Sequence, residues 1–187
     1  RAGELISDAM LADVLKEVLD AGEDLGPSFF EVTIAAAFLA FSRVPADVCV
    51  VEVGMGGRFD ATNVLEPEAL AACGIAALGL DHERCLLAPE EGVPTEPMAR
   101  IAFEKAGIAK KSVPLVTMGE LYPLPSRAAI HAVAKRADAP LIQFGKDWDC
   151  ALEGTEMYFS DGRVLGPENY LPSPAIAGEH QVFNAGL

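Results

Sequence analysis

The apolar run Val48-Cys49-Val50-Val51 leads directly into Glu52-Val53-Gly54-Met55-Gly56-Gly57-Arg58-Phe59-Asp60-Ala61-Thr62-Asn63. An uninterrupted apolar run of this length predicts a strand over 47–53 that is buried on both faces, as in a parallel sheet. Parallel strands need crossover connections, usually helices, so this one feature directs the chain toward an α/β fold. The three glycines, Arg58, Asp60 and Asn63 that follow suit an active-site loop. Glu52 is expected where the strand stops, and open parallel sheets bind ligands at that edge.

The remaining chain alternates in the same way. Ser7 can cap a helix with apolar positions Met10, Leu11, Val14, Leu15, Val18 and Leu19, and Gly22 can end it. Ser28 can cap a second helix from Phe29 to about Arg43, apolar nearly all round and therefore expected to be buried; Pro45 stops it. Cys73 to Leu80 is a second strand-like run, closed by Asp81-His82-Glu83-Arg84. The proline-rich stretch from Leu86 to Pro97 predicts a loop. Helices are then expected over Met98–Ile108 and Ser126–Asp138, and strands over Pro114–Met118 and Leu141–Phe144. Beyond Trp148 the pattern changes: Thr155–Ser160, Asp161-Gly162 and Arg163–Leu165 read as a β-hairpin. The predicted class is α/β, a mostly parallel sheet flanked by helices, with a small β-hairpin region near the C-terminal part.

Charge narrows the function. Fourteen basic against 28 acidic residues give a net charge of −14, which argues against non-specific nucleic-acid binding. A phosphorylated ligand is still compatible, because a few placed cations or Mg²⁺ can hold one. Cys49, Cys73, Cys85 and Cys150 form no CxxC pair and read as reduced thiols without a metal role. The longest apolar region, Ile34 to Phe41, is too short to span a bilayer and is flanked by Glu31 and Arg43. With no secretory signal visible, the expected location is cytoplasmic and no membrane partner is expected. Arg1 in place of a methionine, and an ending at Leu187, suggest a chain cut at both ends.

Two nucleotide motifs fail. G-x-G-x-x-G breaks at Phe59, and the Gly74…Gly79 pair with P-loop spacing is followed by Leu80 and Asp81 instead of Lys and Ser/Thr. Four segments still carry chemistry, each with a plainer alternative. The glycines could simply make a tight turn, although four polar groups (Glu52, Arg58, Asp60, Asn63) exceed what a turn requires. His82 could be an ordinary surface residue; beside Glu52 on one sheet edge it could share a divalent cation. Lys105, in Ile101-Ala102-Phe103-Glu104-Lys105-Ala106-Gly107-Ile108, could pair with Glu104 or an aspartate, or act electrostatically near a metal. In Gly178-Glu179-His180-Gln181-Val182-Phe183-Asn184-Ala185 the polar cluster could contact phosphate or a base edge, or only cap a helix.

Together with Phe29-Phe30-Glu31 and Ala35-Ala36-Ala37-Phe38, these segments resemble the folylpolyglutamate synthase / dihydrofolate synthase family of the Mur-ligase superfamily, in the family's order across nearly the whole chain. The resemblance implies a Mur-ligase-type central ATPase domain and an ATP-dependent amide ligase. A substrate carboxylate would attack the γ-phosphate of ATP to give an acyl phosphate, which the amine of L-glutamate then attacks. The acceptor would be dihydropteroate, a reduced folate, or both. By resemblance, Glu52 and His82 bind Mg²⁺, and Lys105 carries a carbamate that helps place a second metal. Asn184, with His180 and Gln181, lies at the adenine side, while Asp60 and Asn63 shape the loop near the metals and phosphates. The family is usually monomeric.

Two departures stand out. Residues 83–100 form a longer, proline-rich link than the family's, and Leu86-Leu87-Ala88 replaces its Leu-Gly. The family's P-loop and C-terminal domain are expected to lie outside residues 1–187, which would then be most of the central ATP-binding domain and inactive alone. A Mur-type cell-wall amino-acid ligase and a non-catalytic relic of the same domain are the alternative readings.

Overall fold

The computed structural model describes residues 4–161, 169–178 and 180–187. They form two compact units. One contains the residues up to Gly54 together with Asp60–Val64, and the other contains Met55–Phe59 and Leu65–Leu187.

The first unit is built on two helices. Helix α1 spans Asp8–Ala21, with the Ser7 hydroxyl accepting from Met10 N–H and Gly22 at the C-cap. Helix α2 spans Phe29–Arg43 and opens with a capping box, in which Ser28 and Glu31 satisfy each other's backbone N–H. Val14 of α1 and Val32 and Ala36 of α2 are buried. Arg43 reaches back to Asp13 (2.8 Å) and Glu17 of α1. The all-round apolar surface of α2 predicts full burial, yet Phe29 is 85% and Phe41 45% exposed. Helix α2 packs on α1 and also meets Gly54 and the 61–64 turn, and these contacts leave Phe29 and Phe41 uncovered.

The predicted strand over 47–53 is absent. Those residues have no regular structure, and Val48 and Val50 are exposed. An apolar run becomes a strand only where a neighbour offers ladder hydrogen bonds. No described strand pairs with this run.

The second unit holds both sheets. Strand β1 (Cys73–Ile75) is followed by the one-turn helix α3 (Glu83–Leu86) and helix α4 (Pro97–Ala106). Strand β2 (Leu115–Thr117), helix α5 (Leu124–Ala137) and strand β3 (Leu141–Gln143) complete a three-stranded parallel sheet, order β1-β2-β3. The expected class is therefore correct for this sheet. Its strands are shorter than predicted, and Pro114 and Pro140 explain where they begin. A proline has no N–H for the ladder, so only the carbonyls are used: Pro114 accepts from Cys73 N–H and Pro140 from Leu115 N–H, both at 2.8 Å. Helices α4 and α5 pack together over the sheet, and Ala102, Ala106, Leu115 and Ile130 are almost wholly buried in the core these layers share.

A separate antiparallel sheet follows, with strands β4 (Asp149–Glu153), β5 (Glu156–Ser160) and β6 (Asn169–Pro172). Strand β5 falls within the predicted Thr155–Ser160 strand, and a further hairpin turn at Gly154-Thr155 joins it to β4. Gly162 and Arg163–Leu165 of the predicted hairpin lie outside the described residues. The last helix, α6 (His180–Gly186), is anchored by the edge-on contact of Phe183 with Phe144 (5.5 Å between centroids) and by buried Val182.

Candidate active site

The glycine segment is divided between the units, and each half is held by its own contacts. In the first unit the Asp60 carboxylate closes the loop. Its Oδ2 accepts from Gly54 N–H (3.1 Å), and its Oδ1 accepts from Thr62 N–H (2.9 Å) and the Thr62 hydroxyl (2.6 Å). Asn63 N–H donates to the Asp60 carbonyl at 2.9 Å. Asp60 is buried, which suits a loop-shaping carboxylate. Glu52 is exposed, and among the described residues its carboxylate makes no hydrogen bond or ion pair. Because residues 47–53 form no strand, Glu52 does not stand at the end of one.

In the second unit Met55–Phe59 lies on the last turn of α4. Arg58 N–H donates to the Glu104 carbonyl at 2.9 Å. The approach is close enough to exclude side chains. A Cβ on Gly57 would lie 2.8 Å from the Lys105 carbonyl oxygen, and one on Gly107 would lie 2.4 Å from the Arg58 Cβ.

The Arg58 guanidinium is bidentate to two carboxylates. Nε and Nη2 donate to Glu104 (3.0 and 2.9 Å), and Nη1 and Nη2 to Glu90 (2.9 and 2.5 Å). Arg100 joins them, with Nε donating to Glu104 at 2.8 Å and Nη2 to Glu90 at 2.9 Å. Two arginines and two glutamates thus balance at zero charge, which is what burial of such groups demands. The hydrogen bond from Arg58 pulls the Glu90 carboxyl below the usual carboxylate range. Reciprocally, Glu90 first and then Glu104 raise the Arg58 pKa, against the lowering effect of burial.

Lys105 is half-buried, and it is the one residue of 99–106 that is not fully buried. It does not pair with Glu104, whose oxygens are taken by the two arginines. Among the described residues its ammonium has no ion pair. His82 is exposed and caps α3 from the left-handed region, with φ 47° and ψ 30°. Residues 76–81 separate it from the end of β1, so it is not at a strand terminus either. The single sheet edge expected to carry both Glu52 and His82 is therefore not formed: one residue follows no strand, and the other begins a helix.

The donors that the resemblance assigns to magnesium have suitable chemistry. Glu52 offers carboxylate oxygens and His82 an imidazole, neither engaged elsewhere among the described residues. Among those residues no three His, Cys, Asp or Glu side chains are grouped as a metal cage. Magnesium commonly takes only one or two protein carboxylates, with water and phosphate completing the shell. At α6, Asn184 is exposed and donates to the Gln181 Oε1 at 3.2 Å, and the Gln181 and His180 side chains lie 3.1 Å apart. These three groups form one polar cluster on a helix fixed to the sheet unit.

No protein-family model matches the chain. Folylpolyglutamate synthase of Arabidopsis thaliana is 34% identical over 174 residues, 93% of this chain and 23% of that protein. Dihydrofolate synthetase of Saccharomyces cerevisiae is 30% identical over 176 residues, 90% of this chain and 36% of that protein. Among solved structures, E. coli FolC in complex with DHPP and ADP superposes with a TM-score of 0.80 at 25% identity, covering 98% of this chain and 41% of that one. The chain belongs to the folylpolyglutamate synthase / dihydrofolate synthase family.

It spans about a quarter to a third of the length of these two curated relatives. Within this synthase family segment, sequence reading singled out Arg58 and passed over its partners. Arg100 and Glu104 had a usable signal, since their i, i+4 spacing on an otherwise apolar helix implies a paired, buried couple. Glu90 had none, because nothing in a proline-rich loop indicates which acid will turn inward.

Proposed function

We propose that the complete protein carrying this chain is an ATP- and Mg²⁺-dependent ligase that joins L-glutamate to dihydropteroate, reduced folates, or both. The observation that carries this reading is continuous similarity to folate synthases over about nine-tenths of the chain. The ADP and DHPP bound in the FolC neighbour support a nucleotide and a pterin acid as ligands.

In this reading the carboxylate of the pterin substrate attacks the γ-phosphorus of ATP, ADP leaves, and an acyl phosphate forms. The glutamate amine then attacks the acyl carbon, the amide forms, and inorganic phosphate departs with the oxygen it gained. Phosphoryl transfer rests mainly on positioning and charge neutralisation. Glu52 and His82 would hold magnesium, which when bound neutralises charge on the transferring phosphoryl group. Lys105, as a carbamate, would help hold a second metal; among the described residues its ammonium has no ion-pair partner, which leaves the nitrogen open to that modification. Asn184, with Gln181 and His180, would border the adenine through amide and imidazole groups. Asp60 and Asn63 would keep the loop in shape beside the phosphates.

Phosphate release by the complete protein tests this directly. With MgATP and L-glutamate, release should require dihydropteroate or tetrahydrofolate, and which of them works defines the substrate. Glu52→Ala should lower release by about 100-fold or more, as loss of a charge-stabilising site does. Release independent of any pterin would refute the folate assignment and favour a cell-wall type ligase.

A further inference from the structure

We propose that Glu90, in the segment 87–96 between α3 and α4, is a positioning residue for Lys105 that acts through Arg58. The proposal rests on the ligase reading above for its functional consequence, but its geometry stands alone.

Charge counting makes the case. Glu104 and Arg100 are deeply buried, with side chains 6% and 8% exposed, while Arg58 is 22% exposed. These three groups alone carry one surplus positive charge. Glu90 supplies the missing negative charge and engages both arginines, at 2.9 and 2.5 Å to Arg58 and 2.9 Å to Arg100. Arg58 has other contacts as well. Its far edge meets Glu104, and its guanidinium carbon lies 4.2 Å from the Phe59 ring centroid and 5.1 Å from that of Phe103. Glu90 therefore holds the Nη1 and Nη2 edge of Arg58, while Glu104 holds its Nε and Nη2 edge.

Arg58 in turn fixes the turn that bears Lys105. The Glu104 carbonyl accepts from both Arg58 N–H (2.9 Å) and Gly107 N–H (3.2 Å), and Gly57 sits against the Lys105 carbonyl. Without Glu90, the uncompensated guanidinium is drawn to water, the Gly57–Lys105 contact loosens, and the base of the lysine side chain shifts. Glu90 itself is 39% exposed and touches none of the residues assigned to ligands, so it positions and does not react.

The test compares Glu90→Ala and Glu90→Gln in the complete protein with a Glu91→Gln control on the same loop. Two readouts are taken at a temperature where each variant is folded: kcat and KM for ATP, and amide hydrogen exchange of peptides covering 55–59 and 104–108. Glu90→Ala should lower kcat by about ten-fold, with KM for ATP changed less than about two-fold, because misplacement affects the reaction more than binding. Exchange at both peptides should speed up by about ten-fold, roughly 1.4 kcal/mol of local stability. Glu90→Gln keeps the shape and loses the charge, and should fall between wild type and Glu90→Ala; Glu91→Gln should match wild type. Unchanged exchange in Glu90→Ala overturns the proposal. So does unchanged kcat in an active ligase, because the lock would then be structural only. If the wild type shows no pterin-dependent ligation, the ligase reading and Glu90's catalytic consequence both fail, and the exchange readout alone decides whether Glu90 locks the turn.

Discussion

Gly57 shows how little freedom single residues have around Lys105. A methyl group there would meet two backbone oxygens, at 2.8 Å from Lys105 and 2.9 Å from Glu104, and neither can rotate away as a side chain could. Gly57→Ala should therefore cost about 1–3 kcal/mol, the usual range for overpacking. A lowered urea midpoint checks it, and an unchanged midpoint would mean that the loop can lift off α4 at no cost. Tyr122 is the other tightly used group. Its hydroxyl accepts from Met118 N–H at 3.1 Å and donates toward the Ile75 and Ala76 carbonyls, where the chain leaves β1. Burial pushes its pKa up from 10.0 to about 12, and burial likewise lifts Cys150 from 9.0 to about 11. Both groups hold their protons longer folded than unfolded. Their contribution is complete below about pH 9 and declines as pH rises toward 12. Urea midpoints taken between pH 8 and 12 should fall with pH, and Tyr122→Phe should remove the part of the decline above pH 10. A midpoint independent of pH over this window would contradict the burial of both groups.

The helices show what short sequence signals can and cannot specify. Capping is local chemistry, so Ser7, Ser28 and the ends of α1 and α2 were legible from residue type and spacing alone. Helix α4 began one residue before its predicted start, because Pro97 occupies its first position, where a missing N–H costs nothing. Its cap is Glu96, whose carboxylate accepts from Met98 N–H (3.2 Å) and Ala99 N–H (2.6 Å). Glu96→Ala should cost about 1 kcal/mol, read as a lower thermal midpoint; no change would mean that water replaces the cap. The 47–53 run was misread for the converse reason. Its hydrophobicity matches a buried strand, but strand formation depends on a partner that no local pattern encodes. The same limit moved Glu52 and His82 off the shared edge expected for them. Asp60, given a loop role by the resemblance alone, bonds locally to the Thr62 N–H and hydroxyl, a contact that its two-residue spacing permits.

For the whole molecule, what was legible was class and kinship. Alternating apolar segments gave the parallel sheet with its helices, and ordered motifs gave the family to which the comparisons assign the chain. The Arg58, Arg100, Glu90 and Glu104 quartet was not legible, because it joins a loop, a helix and the glycine segment across 46 positions of sequence between Arg58 and Glu104. The central claim concerns what the complete protein makes. The most direct measurement is the mass of the product formed from dihydropteroate or tetrahydrofolate with MgATP and nitrogen-15 glutamate. The account predicts a pterin product heavier by one labelled glutamate residue, with stoichiometric ADP and phosphate. ATP consumption with no glutamate in the pterin, or incorporation of a different amino acid in its place, would contradict it.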